Sequence, residues 1–119
     1  MDKENMPSVK IRLVQGFSAT EALQAAMSGL EEEGVPYEVT TGEETDCVDL
    51  SYRAAEESVL EVGIGIDGAG GLAVHYRKLP ADSPLFRVDY LRRGDMVRNM
   101  AANAARLIRG IPFILDEKE

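Results

Sequence analysis

The sequence is poor in the residues that build disulfides and zinc sites. Its 119 residues include one cysteine, Cys47, one histidine, His75, and no tryptophan. A single cysteine excludes an internal disulfide, and one cysteine with one histidine cannot supply the four ligands of a structural zinc site. No apolar run approaches the roughly 20 residues that a membrane-spanning helix needs, and the first residues are too polar for a signal peptide. We therefore expect a cytoplasmic protein that does not contact a membrane.

Basic residues are also scarce. The chain has 13 Lys and Arg against 21 Asp and Glu, a net charge of -8, which argues against nucleic-acid and anionic-membrane partners. The charge is segregated, because residues 1–75 hold 15 acidic and four basic residues whereas residues 76–110 hold three acidic and eight basic ones. Separate acidic and basic halves suit a protein partner with complementary patches. Two solvated helix faces would have the same composition, so both interpretations stay open.

The length fits one domain. We expect a flexible N-terminus at residues 1–8, a single α/β domain at residues 9–115 and a C-terminal tail at residues 116–119. The hydrophobic periodicity predicts the order β-α-β-α-β-β-α-β. Two crossovers require parallel strand pairs and one hairpin requires an antiparallel pair. The sequence therefore predicts a three-layer α/β/α fold with a mixed, mostly parallel sheet of about five strands.

The first predicted helix has both start and stop signals. Ser18–Glu21 has the pattern of a capping box, and Gly34 is placed to end the helix in a left-handed conformation. Leu23, Met27 and Leu30 form its apolar stripe. The remaining predicted elements are strands at Val9–Val14, Tyr37–Thr40, Val59–Ile66, Gly71–Tyr76 and Ile111–Leu115, and helices at Leu50–Glu57 and from Asp95 to Gly110.

One glycine motif has the spacing of a dinucleotide-binding loop. Gly63-Ile-Gly-Ile-Asp-Gly68 matches G-x-G-x-x-G. That loop binds pyrophosphate only where the glycines open a helix, and here they lie in a strand and its turn. The motif is more typical of a hairpin with close backbone packing. A small-molecule site at the Gly63–Gly71 loop remains a third, weaker alternative.

The two reactive residue types lack catalytic partners in the sequence, and we assign no catalytic residue. Cys47 lies in the acidic stretch Glu43–Asp49, whose carboxylates oppose thiolate formation. His75 has no evident triad partner and falls on an alternating strand. We expect both side chains to be structural.

Three consecutive carboxylates, Glu31, Glu32 and Glu33, fall in the last turn of the first helix, where the helix dipole disfavours anions. At 100° per residue, Glu32 lies about 180° from the centre of the apolar stripe, so we expect it to point directly away from the core. One outward carboxylate cannot hold a hard cation alone, because Mg²⁺ needs several oxygen ligands. Glu32 could complete a site on another chain, although the spacing alone also fits a solvated helix end.

Four short motifs resemble a known family in their order and spacing. They are Gly29-Leu-Glu-Glu-Glu-Gly-Val-Pro36, Val62-Gly-Ile-Gly-Ile66, Leu79-Pro-Ala-Asp82 and Asn103-Ala-Ala-Arg-Leu107. Together, over residues 9–112, they resemble the small (beta) subunit of diol and glycerol dehydratase reactivating factors. They also resemble the medium subunit of the adenosylcobalamin-dependent dehydratases, which carries an additional N-terminal region. Since only eight residues precede the first predicted strand, we favour the reactivating factor. The predicted fold resembles the anticodon-binding-domain-like fold.

The resemblance implies a non-catalytic subunit that binds no cofactor alone. In this family a large subunit with an actin-like ATPase domain binds ATP and ADP. The small subunit exchanges with the medium subunit of a dehydratase that holds damaged cobalamin, so that the cobalamin can leave. A glutamate at the end of the first helix completes a Mg²⁺ site on the large subunit, and the match places that role on Glu32, with Glu31 and Glu33 as interface candidates. The alternative is a medium-type structural subunit of a cobalamin-dependent dehydratase. The acidic stretch Glu43–Asp49, called the acidic loop below, has no family counterpart.

Overall fold

The computed structural model describes residues 7–115, so that most of the predicted flexible N-terminus and the whole predicted tail lie outside the described residues. No helix in this range is long and apolar enough to span a membrane. The elements are strands β1 (Val9–Val14), β2 (Tyr37–Gly42), β3 (Val62–Ile66), β4 (Gly71–Tyr76) and β5 (Phe86–Asp89), helices α1 (Thr20–Glu32), α2 (Cys47–Glu57) and α3 (Val97–Arg109), and a 3-10 turn at Gly94–Met96.

The five strands form one mixed sheet in the order β2-β1-β3-β4-β5. β1 runs parallel to both β2 and β3, whereas β4 is antiparallel to β3 and to β5. The predicted β3–β4 hairpin is confirmed. The expectation of a mostly parallel sheet is wrong, because two of the four pairings are antiparallel. The difference comes from β5, a short strand that the periodicity does not predict.

The helices cover both faces of the sheet, as the predicted three-layer architecture requires. The β1–β2 and β2–β3 crossovers move in opposite directions along the sheet, so right-handed connections place α1 and α2 on opposite faces. α3 packs beside α1. The main core lies between this helix pair and the sheet and includes the fully buried Ile11, Leu30, Ile64, Val74, Val97 and Ala101.

All three helix starts differ from the prediction, and that of α3 lies at Val97 rather than Asp95, after the 3-10 turn. α1 begins at Thr20 with Ala19 as N-cap and no side-chain cap, so the predicted capping box is wrong. The Thr20 amide instead donates to the Ser18 carbonyl at 2.9 Å, which moves the helix start beyond the serine. α2 begins three residues earlier than predicted because the Asp46 side chain caps it, accepting from the Val48 amide at 2.9 Å.

Three strand predictions also change, and the simplest change is in β2, which extends to Gly42 rather than Thr40. β3 begins at Val62 rather than Val59, since Glu61 adopts a left-handed φ of 68° that interrupts extended backbone. Residues 111–115 form no strand. Their backbone is held by the buried Asn103 side chain, whose Nδ2 donates to the Ile114 carbonyl at 2.8 Å and whose Oδ1 accepts from the Ile114 amide at 2.6 Å. A side-chain amide thus takes the place of a neighbouring strand.

The strand glycines bring α2 unusually close to the sheet. A Cβ atom on Gly63 would overlap the Ala55 amide nitrogen, and one on Gly65 would overlap the Ser51 amide nitrogen. The backbone of α2 therefore rests directly on these two residues. The glycines serve packing, as the sequence suggested, and no helix begins at them to receive a phosphate.

We predict that Gly65→Ala destabilises the domain by about 1–3 kcal/mol, because the new methyl group must push α2 away from the sheet. Gly68→Ala is the matched control, since its methyl would meet only Val14 Cγ1 at 3.8 Å, and it should change stability by no more than about 0.5 kcal/mol. Urea unfolding of the two variants measures the difference. Equal stability would contradict the close-packing role.

Candidate functional site

The candidate site is the C-terminal end of α1, where Glu31, Glu32 and Glu33 follow one another. Gly34 ends the helix with a φ of 73°, as predicted. The last turn contains no basic residue, so each carboxylate there costs about 0.3–1 kcal/mol unless another element compensates it. The compensating groups come mainly from α3.

Contact between α1 and α3 depends on Gly29. A Cβ atom at this position would overlap the Arg98 carbonyl oxygen and lie 3.0 Å from the Ala101 methyl carbon. Only glycine therefore lets the two backbones approach this closely. The approach brings the last turn of α1 beside the arginine side chains of α3.

Glu33 is held tightly to α3. Arg106 Nε donates to Glu33 Oε2 at 3.1 Å, and Arg109 Nη1 donates to the Glu33 carbonyl oxygen at 2.8 Å and lies 3.3 Å from Oε1. Only 13% of the Glu33 side chain is exposed. With both carboxylate oxygens and the carbonyl engaged, Glu33 fixes the helix end against α3.

Glu31 is exposed and bonded to the sheet edge. The Tyr37 hydroxyl, at the start of β2, donates to Glu31 Oε2 at 2.6 Å. This hydrogen bond, with smaller contributions from desolvation and the negative charge, raises the pKa of Tyr37. Glu31 therefore keeps one oxygen in contact with Tyr37 and faces solvent beside Glu32.

Glu32 is exposed, but it does not point directly away from the core as predicted. The buried face of α1 comprises Ala22, Ala26, Gly29 and Leu30, and at 100° per residue Glu32 lies about 100° from its centre, on the same flank as Gly29. There its carboxylate forms an ion pair with Arg98. The side chains of Glu32 and Arg98 are 47% and 58% exposed, so the pair is a surface contact.

The chemistry of Glu32 fits a single ligand to a hard cation. Carboxylate oxygens are the donors that Mg²⁺ prefers, and an exposed ion pair contributes only about 0–1 kcal/mol, so this carboxylate is readily freed. Within residues 7–115, the only group of three candidate metal-ligating side chains lies elsewhere. Glu32 would therefore need a partner to supply the other oxygens.

That other group, Asp46, Cys47 and Asp67, lies at the start of α2. Both oxygens of the Asp67 carboxylate already bind backbone, because they accept from the amides of Cys47 at 3.1 Å, Ala69 at 2.9 Å and Gly71 at 2.8 Å. Burial, together with the Asp67 and Asp46 charges, raises the pKa of the Cys47 thiol to about 12. The Asp67 carboxylate thus anchors the β3–β4 turn to α2. The protonated thiol beside it is a poor metal ligand.

We predict that the native Cys47 thiol reacts slowly with a thiol reagent at pH 8 and stoichiometrically in urea. The reason is that Cys47 is fully buried and almost wholly protonated at that pH. Absorbance after addition of dithionitrobenzoate measures both rates, with free cysteine as the control. Rapid stoichiometric reaction of the folded protein would contradict the structural assignment.

His75 is also structural. The residue is fully buried, its Nδ1 accepts from the Tyr76 amide at 3.0 Å, and its Nε2 lies 3.0 Å from the Ala81 carbonyl oxygen. The amide contact makes Nδ1 the acceptor, so Nε2 carries the proton and donates to Ala81. Both ring nitrogens are therefore hydrogen-bonded to backbone groups, and the ring packs edge-on against Tyr52.

Arg12 organises the acidic loop for which the sequence offered no role. Its Nε donates to Glu44 Oε1 at 2.8 Å, and its Nη1 lies 3.1 Å from Glu57 Oε2. The hydrogen bond from Arg12 holds the pKa of Glu44 below its ordinary value. The loop is therefore tied to β1 and to the end of α2.

We predict that Glu44→Gln lowers the free energy of unfolding at pH 7 by about 1–3 kcal/mol, because the Arg12 and Glu44 side chains are only 12% and 20% exposed. Because the pKa of Glu44 is lower in the folded state, its contribution is complete above the ordinary value of 4.5 and is lost as the pH falls through the folded value. Urea unfolding between pH 7 and pH 3 should show the variant and the wild type converging. Glu43→Gln, at an exposed neighbour, is the control and should change the free energy of unfolding at pH 7 by no more than about 0.5 kcal/mol.

Sequence reasoning missed the residues that hold the site together. Hydrophobic periodicity gives Arg98 no role, and Asn103 enters only through a motif. One signal was available: an acid in the last turn of α1 and a base in the first turn of α3 both oppose their helix dipoles. Each of Glu32 and Arg98 therefore needs a compensating charge, and each supplies it to the other.

Comparison with known proteins identifies the family. The model of the dehydratase medium subunit family matches residues 6–114. The chain belongs to this family.

The relatives described here are all reactivating-factor proteins. The small subunit of the propanediol dehydratase-reactivating factor of Citrobacter freundii is 35% identical over 111 residues, covering 93% of this chain and 95% of the relative. The solved diol dehydratase-reactivating factor complexed with ADP and Mg²⁺ contains a chain with TM-score 0.84 and 36% identity, covering 93% of this chain and all of that one. A glycerol dehydratase reactivase chain gives TM-score 0.88 and 32% identity, with 92% and 98% covered. The likeness to an anticodon-binding-domain-like fold stays a prediction.

Proposed function

We propose that this chain is the cytoplasmic, non-catalytic small subunit of an ATP-dependent reactivating factor for a cobalamin-dependent diol or glycerol dehydratase. The likeness to reactivating-factor small subunits over nearly the full length of both chains carries this proposal. The factor's large subunit would bind the nucleotide. The small subunit would leave that large subunit when the factor binds a dehydratase containing damaged cobalamin.

Subunit exchange in this proposal is competition between two interfaces. The small subunit and the dehydratase medium subunit would bind the same surface of the large subunit, and mass action together with the nucleotide state would decide which one is bound. Release of the small subunit would free that surface for the medium subunit, and the opened dehydratase would lose its damaged cofactor. The small subunit needs an interface that is specific but reversible.

We assign the contact with the large subunit to the C-terminal end of α1. Glu33 and Gly29 keep this helix end rigid against α3, and Glu32 presents a carboxylate that is about half exposed. A Mg²⁺ ion held mainly by the large subunit would replace Arg98 as the positive charge beside Glu32. Glu32 would contribute one oxygen, and Glu31 would lie at the rim of the contact.

The environments of Cys47 and His75 support a binding role rather than a catalytic one. The thiol is buried with a raised pKa, and both imidazole nitrogens bind backbone. The first glycines of the Gly63–Gly71 loop are covered by α2. This contact supports a packing role for the loop rather than a ligand-binding one. The alternative function, a structural subunit of the dehydratase itself, is not favoured, since the relatives and solved neighbours described above are reactivating-factor proteins.

We predict that Glu32→Gln weakens binding to the large subunit about ten-fold or more in Mg²⁺ and much less in chelator. The variant keeps the size of the side chain and removes the charge that a hard cation prefers, and loss of one partner of an interfacial charge contact is costly. Titration calorimetry with the large subunit, with and without Mg²⁺, gives the four affinities whose comparison isolates the metal-dependent part.

Glu56→Gln is the matched control for this experiment. Glu56 is 43% exposed and pairs with Arg53 on α2, on the opposite face of the sheet. Its loss should leave both affinities unchanged. If Glu32→Gln also binds like the wild type under all conditions, Glu32 is only a solvated helix end and the site assignment is wrong.

A further inference from the structure

The ion pair between Glu32 and Arg98 joins two helix ends, and the charge of each side chain is unfavourable to the dipole of its own helix. Glu32 lies in the last turn of α1, which has no basic residue, and Arg98 lies in the first turn of α3, which has no acidic residue. The dipole of each helix disfavours the charge at that end. Glu32 therefore compensates the charge of Arg98, and Arg98 compensates the charge of Glu32, because neither helix supplies a compensating charge at that end.

The three glutamates differ in how their carboxylates are held. Glu33 is mostly buried and bonded to two arginines, and Glu31 accepts a 2.6 Å hydrogen bond from Tyr37. Glu32 alone among the three depends on one exposed guanidinium, that of Arg98. Any cation from a partner that recruits Glu32 must compete with this guanidinium for the same carboxylate.

We infer that Arg98 is a built-in competitor for Glu32, which weakens the metal-dependent contact with the large subunit and so keeps the small subunit exchangeable. This inference rests on the proposed function. The guanidinium occupies Glu32 in the free domain and must release it on docking. After docking, the positive charge of Arg98 lies close to a divalent cation and opposes it. Both effects reduce affinity, and both require the charge of Arg98.

Arg98→Gln removes that charge while keeping a polar side chain of good helix propensity. The packing at Gly29 involves the Arg98 carbonyl oxygen, not its side chain, so the α1–α3 contact is retained. The variant should bind the large subunit about two- to five-fold more tightly in Mg²⁺, the range expected for removal of an exposed ion pair. In chelator it should show no gain.

The matched control is Arg53→Gln. Arg53 is 53% exposed and pairs with Glu56 on α2 at 3.6 Å, so the variant removes an equally exposed arginine from a helix on the opposite face. It should bind like the wild type with and without Mg²⁺. Urea unfolding of both variants checks that they remain folded.

The double variant Glu32→Gln with Arg98→Gln shows whether the gain acts through Glu32. The two- to five-fold gain should disappear on the Glu32→Gln background. If Arg98→Gln binds equally or more weakly in Mg²⁺ while Glu32→Gln still weakens metal-dependent binding, the competitor role is wrong and the proposed site stands. If Glu32→Gln has no metal-dependent effect, the proposed site and the competitor role are both wrong.

Discussion

The contact between Gly29 and the Arg98 carbonyl oxygen is the constraint on which the candidate site depends. Without a side chain at residue 29, α1 and α3 approach closely enough for the carboxylates at the end of one helix to reach the arginines of the other. Three successive anions at a helix C-terminus are unfavourable in isolation. The close contact compensates two of the three anions, because it brings Glu32 beside Arg98 and Glu33 beside Arg106 and Arg109.

These environments divide the three glutamates into a structural residue and two surface residues. Glu33 connects the helices through Arg106 and Arg109, whereas Glu32 remains exposed and weakly paired. A rigid helix end that presents one readily freed carboxylate suits an interface that must form and dissociate.

On the other face of the sheet, Gly63 and Gly65 let the backbone of α2 pack directly on β3. Glycine therefore sets the close contacts in both helical layers.

Local signals in the sequence predicted much of the fold. The β3–β4 hairpin, the left-handed end of α1 at Gly34 and the packing role of the strand glycines each follow from short-range backbone chemistry. The strand predicted at Ile111–Leu115 failed because a buried amide, Asn103, binds that backbone. This contact joins residues 11 positions apart and leaves no trace in periodicity.

The site was predicted less completely than the fold. The orientation of Glu32 was derived from the large residues Leu23, Met27 and Leu30, but the face of α1 that is buried consists mainly of Ala22, Ala26 and Gly29 together with Leu30. Small residues at a helix–helix contact are buried by their partner and contribute little to hydrophobic periodicity. The pairing of Glu32 with Arg98 could not be predicted either, because only the contact between α1 and α3 brings the first turn of α3 beside the last turn of α1.

The central claim is that the end of α1 is the surface that binds the large subunit, with Glu32 as a metal ligand. The most direct measurement is a crystal structure of this chain bound to its large subunit in the presence of Mg²⁺. The account predicts a Glu32 carboxylate oxygen about 2.0–2.1 Å from the ion, with Arg98 displaced and Glu33 still bonded to Arg106 and Arg109. A complex in which Glu32 remains paired with Arg98, and the large subunit contacts a different face of the domain, would contradict it.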